Sequence, residues 1–171
     1  NIEPIRYEGP ESDNALAYRY YDSKRVVLGK TMEQQLRPAV CYWHTFAWPG
    51  SDVFGAGTFN RPWHEPGDPI ARAQQKLKSA FEFFDKLGIP YFTFHDRDIA
   101  PEGATLKESH ANLDKILEGV QSEMERTEVG LLWGTANLFS NRRYMHGAAT
   151  SPNSEAFAFA AAQVKKALEI T

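Results

Sequence analysis

Three apolar runs, beginning near residues 39, 90 and 131, each pass through a loop into an amphipathic helix, and this threefold order restricts the fold more than any other feature. Strands separated by whole helices lie parallel, because only a long crossover returns the chain to the same end of a sheet. Their near-continuous apolar character implies a sheet covered by helices, with right-handed crossovers. The expected class is α/β, either a doubly wound sheet or a (β/α)8 TIM barrel. A doubly wound nucleotide fold calls for a glycine-rich turn at a helix start, whereas Gly55 and Gly57 fall within a loop, so the barrel is favoured. On that reading the 171 residues hold the first three of eight βα units.

Local signals set the boundaries. Residues 1–38 contain Pro4, Gly9, Pro10 and a polar "ESDN" and read as an irregular arm, closing with a short helix in "TMEQQLR" capped by Thr31. Residues 39–171 form the βα part. The first strand is expected over Ala39–Trp48, rich in β-branched and aromatic residues, and a long loop runs from Pro49 to Gly67. Asp68 before Pro69 opens a helix, since aspartate caps free amides and proline there forfeits no hydrogen bond. Ile70, Ala73, Leu77, Ala80, Phe81, Phe84 and Leu87 form its apolar face, and Gly88 ends it.

The second strand is expected over Ile89–His95. Thr105 and Glu108 have capping-box spacing ahead of a helix that carries Leu113, Ile116, Leu117, Val120 and Met124 on one face. The third strand lies in "VGLLWGTA". A last helix, Ser154 to about Ile170, is expected to turn Phe157, Ala161, Val164 and Leu168 inward and Lys165 and Lys166 outward.

Composition bounds the partners. A net charge of −3 and a pI near 6.0 give no reason to expect nucleic acid or an anionic membrane, which recruit lysine and arginine excess. With 42% hydrophobic and 24% charged residues, gross disorder and collagen are excluded. The lone Cys41 has no internal disulfide partner and reads as a buried thiol. No apolar run approaches the length of a membrane span and "NIEPIRYEGP" lacks a secretory pattern, so the chain reads as cytoplasmic.

Ligands of parallel α/β folds sit at the C-terminal strand ends. There the first strand delivers Trp43, His44, Trp48 and Phe54, the second His95, Asp96 and Asp98, and the third Trp133, Thr135, Asn137 and Phe139. Aromatic walls with a few polar groups suit a sugar, whose C–H faces pack on rings while its hydroxyls take hydrogen bonds. His95 with Asp98 three residues on is the sharpest pair, because a carboxylate on one imidazole nitrogen fixes the tautomer and frees the other for proton transfer. The pattern alone leaves two other readings open: a strand-end histidine beside a turn, or a metal-ligand set of His95, Asp96 and Asp98. Arg142 and Arg143 read as a solvated loop pair.

The stretch "FHDRDIAPEG" resembles the strand-two signature of the xylose isomerases. "VCYWHTFAWPGSDVFGAGTFNRPW", "AFEFFDKLGIPYF" and "LLWGTANLFSNRRYMHGAATSPN" are similar to the long-chain class of that family, in order and with natural spacing. The resemblance implies the N-terminal portion of a tetrameric (β/α)8 barrel enzyme that interconverts an aldose and a ketose, D-xylose and D-xylulose or D-glucose and D-fructose, using two divalent cations (Mg, Mn or Co). It implies that His95 binds the ring oxygen and assists opening of the cyclic sugar, with Asp98 orienting it. It assigns Trp43, Trp133, Thr135 and Phe139 to the substrate pocket and Phe54 to a neighbouring subunit's pocket. The metal ligands of the family belong to later strands, so no metal residue is expected here and the chain alone is expected to be inactive. Two other classes remain: a non-catalytic assembly fragment with open sheet edges, and a metal-dependent hydrolase or endonuclease on a related barrel.

Overall fold

The computed structural model describes residues 2–171. The arm contains a small hairpin, β1 (Val26–Val27) paired antiparallel with β2 (Lys30–Thr31), whose turn places Leu28 and Gly29 at φ 52° and 81°. Helix α1 (Met32–Gln35) starts on Thr31, whose hydroxyl accepts from the Gln34 amide while the Gln34 side chain accepts from the Thr31 amide. The arm closes on the end of the next helix. Ile5 N donates to Lys86 O at 2.7 Å and the Tyr18 hydroxyl to Leu87 O at 2.7 Å, occupying carbonyls that a helix C-terminus leaves without partners.

Three strands, β3 (Ala39–Cys41), β4 (Tyr91–His95) and β5 (Gly130–Thr135), form a parallel sheet in the order β3-β4-β5. Helix α2 (Pro69–Leu87) connects the first pair, and α3 (Asp96–Ile99) with α4 (Leu106–Thr127) connects the second. A parallel sheet with helical crossovers fits a partial βα fold. As expected, the Asp68 carboxylate caps α2 through Ala71 N, and Gly88 ends it at φ 63°. Thr105 caps α4 through Glu108 N, but the Glu108 carboxylate reaches Ala104 N rather than the cap residue, so the reciprocal box is shifted by one residue.

The first strand is shorter than its composition suggests. It ends at Cys41, and Trp43–Ala47 coil into a turn of π-helix, closed by Trp48 N donating to Trp43 O at 2.7 Å. A continuous apolar run does not by itself tell a buried strand from a buried helical turn, and the strand reading does not hold beyond Cys41. Instead Tyr42 and Phe46 drop together into the core. The long loop then folds back over this turn: Trp63 Nε1 donates to Phe46 O at 2.7 Å and the Arg61 guanidinium to Thr45 O. Cys41, expected inside, is only half-buried on the β3 edge.

The core lies between one sheet face and α2 with α4. Phe81 and Phe84 of α2 meet Phe92 of β4 at centroid distances of 5.1 and 5.6 Å, with Phe94, Leu113 and Ile116 completing the layer. Gly119 brings α4 close to α2, since a Cβ there would stand 2.9 Å from Leu77 Cδ2.

Helix α5 (Ser154–Glu169) corrects the expected face. Ala156, Ala160, Gln163 and Ala167 are buried, whereas Phe157, Ala161, Val164 and Leu168 face outward, with Phe157 at 51% and Leu168 at 74% exposure. Small residues allow the helix to approach closely, and Gln163 has polar partners inside. Lys166, expected outside, pairs with Asp114 of α4 and ties the two helices. Arg143 is also bound, with its guanidinium 3.7 Å from the Phe159 ring centroid and 3.0 Å from Glu102.

Two substitutions test this packing by urea unfolding. Phe84→Ala is expected to lose about 3–5 kcal/mol of stability. Phe157→Ser is expected to change it by less than about 0.5 kcal/mol in this chain.

Candidate functional site

The site forms where β4 ends. His95 is the last residue of the strand and Asp98 lies within the single turn that follows it. One carboxylate oxygen of Asp98 accepts twice, from the His95 amide at 2.7 Å and from His95 Nδ1 at 2.9 Å. Both residues are buried, at 7% and 6% exposure. Burial pushes the Asp98 carboxyl above its usual range, while the His95 hydrogen bonds and the charges of His95 and Lys76 pull it back. An ionised Asp98 accepts a proton-bearing Nδ1, which leaves Nε2 as the nitrogen with a lone pair.

Three aromatic rings enclose that imidazole. Trp43 lies 4.8 Å away by ring centroid, Phe139 5.3 Å and Trp133 5.9 Å, the last two edge-on. They come from two strand exits, Trp43 from that of β3 and Trp133 and Phe139 from that of β5. Trp43 arrives on the π-turn after β3, and Phe139 on a loop that the Asn137 side chain shapes by accepting from the Phe139 and Ser140 amides at 3.2 and 3.0 Å.

Trp133 arrives through an irregularity in β5. Phe92 pairs with Leu131 but Thr93 pairs with Trp133, so Leu132 is an extra residue. Side chains alternate along a strand, so with even pairing Trp133 would stand beside Phe94 in the core. The extra residue sets it beside Thr93, on the His95 face, and puts Thr135 directly across from His95. Gly134 then falls opposite Phe94, where a Cβ would come within 2.8 Å of the Phe94 ring.

Sequence reasoning placed His95, Asp98, Trp43, Trp133, Thr135 and Phe139 at strand exits, and the fold brings these six together. Phe54 stays apart. It is 94% exposed on a turn in which Asp52 accepts from the Phe54 and Gly55 amides. His44 stacks on Trp43 at 4.2 Å on the exposed side of the π-turn.

Asp96 does not join His95 and Asp98 in a ligand set. Its Oδ1 accepts from Asn137 N at 2.8 Å and Arg97 N at 2.8 Å, and its Oδ2 from Gln163 Nε2 at 2.7 Å. Gln163 also donates to Asn137 O at 3.0 Å and accepts from the Tyr144 hydroxyl at 2.8 Å. A network so fully occupied on buried groups is structural, joining the ends of β4 and β5 to α5. Among the described residues no three His, Cys, Asp or Glu side chains are grouped to hold a metal ion. The two divalent cations implied by the resemblance therefore find no ligand set in these residues.

Lys76 was not anticipated. It extends from α2 so that its ammonium donates to the Asp98 carbonyl and sits 5.7 Å from the Tyr42 ring centroid. Burial pushes this lysine down to about 8, against an opposing pull from Asp98. Tyr42, with a buried hydroxyl that lacks a partner among the described residues, is pushed upward by burial and then by the Asp98 charge. A lysine one position before an apolar-face residue looks solvated in sequence. Only the packing of α2 against the β4 exit turns it inward. The glutamine had a signal, because Ala156, Ala160, Gln163 and Ala167 recur at four, three and four.

No family model matches the chain. Among curated relatives, the xylose isomerase of Paraburkholderia phytofirmans is 62% identical over all 171 residues, that of Paraburkholderia xenovorans 61% and that of Burkholderia vietnamiensis 57%. Over its full length the chain resembles the xylose isomerases. It spans 39% of the length of these relatives, a share consistent with an N-terminal portion.

The pH dependence of stability tests the Lys76 environment. Between pH 8 and 10.5 the folded chain holds fewer protons at Lys76 than the unfolded chain, so this residue makes stability rise with pH across that window. Urea midpoints measured at neutral pH and at the top of the window should show the rise in the wild type, and a smaller one in Lys76→Met.

Proposed function

We propose that the chain is the N-terminal portion of a xylose isomerase, supplying the first three βα units of a (β/α)8 barrel, and that His95 with Asp98 opens the cyclic sugar. The observation that carries this reading is an imidazole gripped by a buried carboxylate and ringed by three aromatic side chains. The resemblance over the full chain and the names of the relatives support it.

Opening a cyclic aldose breaks the bond between the anomeric carbon and the ring oxygen. A proton must leave the anomeric hydroxyl and one must reach the ring oxygen. An imidazole with Nδ1 fixed by Asp98 serves both needs at Nε2, accepting the first proton and delivering the second. The carboxylate stabilises the imidazolium formed between the two transfers and holds the ring in one orientation. Trp43, Trp133 and Phe139 pack against the C–H faces of the sugar and exclude water from the transfer, and Thr135 offers a hydroxyl to it. Phe54 reaches a neighbouring subunit's pocket in a cytoplasmic homotetramer.

Two divalent cations would polarise the opened sugar for the hydride shift between its first two carbons. Their ligands lie in the part of the enzyme that this chain does not span. The remaining barrel segment is accordingly its first partner, and the chain by itself is inactive. Nucleic acid and membrane are not partners in this reading, and no helix among the described residues is long and apolar enough to cross a membrane.

Two measurements test the proposal. The purified 171-residue chain should convert no xylose to xylulose, and measurable conversion would overturn the assignment of the metal step elsewhere. In the full-length enzyme, His95→Asn should lower kcat on cyclic xylose by about 10²–10⁴, the usual range for a lost general acid-base. An unchanged kcat would remove His95 from ring opening.

A further inference from the structure

We propose that Lys76 is a positioning residue for the His95–Asp98 pair: its ammonium pins the turn that carries Asp98 and supplies a half-buried cation near that carboxylate. The inference rests on the ring-opening role of the pair argued above.

The geometry is that of a second support behind the first. Among the described residues, Asp98 is held at its carboxylate by His95 alone, through the amide and Nδ1. Its main-chain carbonyl, at the end of a helix of a single turn, is held by Lys76 from α2. The same ammonium rests over the Tyr42 ring at 5.7 Å, so its position is set from two sides. Half-buried, this ammonium gives up part of its hydration without a direct carboxylate bond, which costs free energy. The charged groups around it are Asp98 on the β4 exit, Arg97 beside it, Arg72 one turn back on α2, and Glu65 in the facing loop, with the Tyr42 hydroxyl on the β3 side. Arg72 is engaged with Pro66 O and Gln75, and Arg97 approaches Asp96. That leaves Lys76 as the cation outside the pair whose field falls on Asp98.

The reacting form of the pair is neutral His95 beside ionised Asp98. A cation at Lys76 opposes proton uptake by the pair as a whole, so its loss should let the pair protonate at higher pH. The expected signature is a move of the acid limb of the kcat/KM profile, and a one-unit move is about tenfold in rate at a fixed pH on that limb.

The test is the pH profile of xylose isomerisation by the full-length enzyme at saturating divalent metal, for wild type, Lys76→Met, Lys76→Gln, Lys76→Arg and His95→Asn. The acid limb should move upward in Lys76→Met and Lys76→Gln and return toward the wild-type position in Lys76→Arg. A uniform fall at every pH, with the limb unmoved in both uncharged variants, would overturn the proposal and leave Lys76 a packing residue. Should Lys76→Met not accumulate as folded protein, Lys76→Gln decides by the same limb, since it keeps a donor for the Asp98 carbonyl. Full activity in His95→Asn would instead reject the ring-opening role, whatever the lysine variants do.

Discussion

Two carboxylates are buried within three residues of each other at the end of one central strand, and such groups persist only where donors surround them. Asp98 finds its donors locally, on the histidine three residues before it. Asp96 finds them at long range, on Asn137 and on Gln163, which lie 41 and 67 residues away in sequence. The first arrangement fixes the orientation of an imidazole. The second fixes the loops that wall it, because the Asn137 amide and Gln163 amide cannot satisfy Asp96 unless the β5 exit and α5 stand where they do. Chemistry and architecture thus share one turn of chain.

The parts of this fold that are legible in sequence are those governed by near neighbours. Asp68–Pro69, Thr105 and Gly88 mark helix ends because each acts on amides or dihedral angles within a few residues. The three strands, their parallel order and the gathering of His95, Trp43, Trp133 and Phe139 follow from alternation of segments and from where strand exits lie. What escaped reading depended on distant partners. The inward face of α5 is built from alanines and a glutamine, which carry less apolar weight than Phe157, Val164 and Leu168, so hydrophobic pattern alone selects the wrong stripe. Lys76 escaped for the same reason: its carbonyl partner is 22 residues on, across a helix-to-strand junction.

The π-turn after β3 shows how an apolar run can satisfy two demands at once. Its wider backbone circuit drops Tyr42 and Phe46 into the core while holding Trp43 toward His95. The carbonyls such a turn leaves open are taken by Trp63 and Arg61, which accounts for the length of the loop between Pro49 and Gly67. A loop whose length already exceeds that of a mere connector in sequence is in part the donor set for the turn it leaves.

The extra residue at Leu132 has a bearing on how such a wall changes over time. Substitution at Trp133 alters the bulk of one ring and leaves the rest of the strand in place. Loss of Leu132 would leave a regular strand with the indole still beside Thr93, whereas a residue gained there and taken into the ladder would exchange the two sides beyond that point, sending the indole into the core and a glycine to the wall. The aromatic wall is therefore graded under replacement, while under a change of length its fate depends on whether the irregularity at Leu132 takes up the difference.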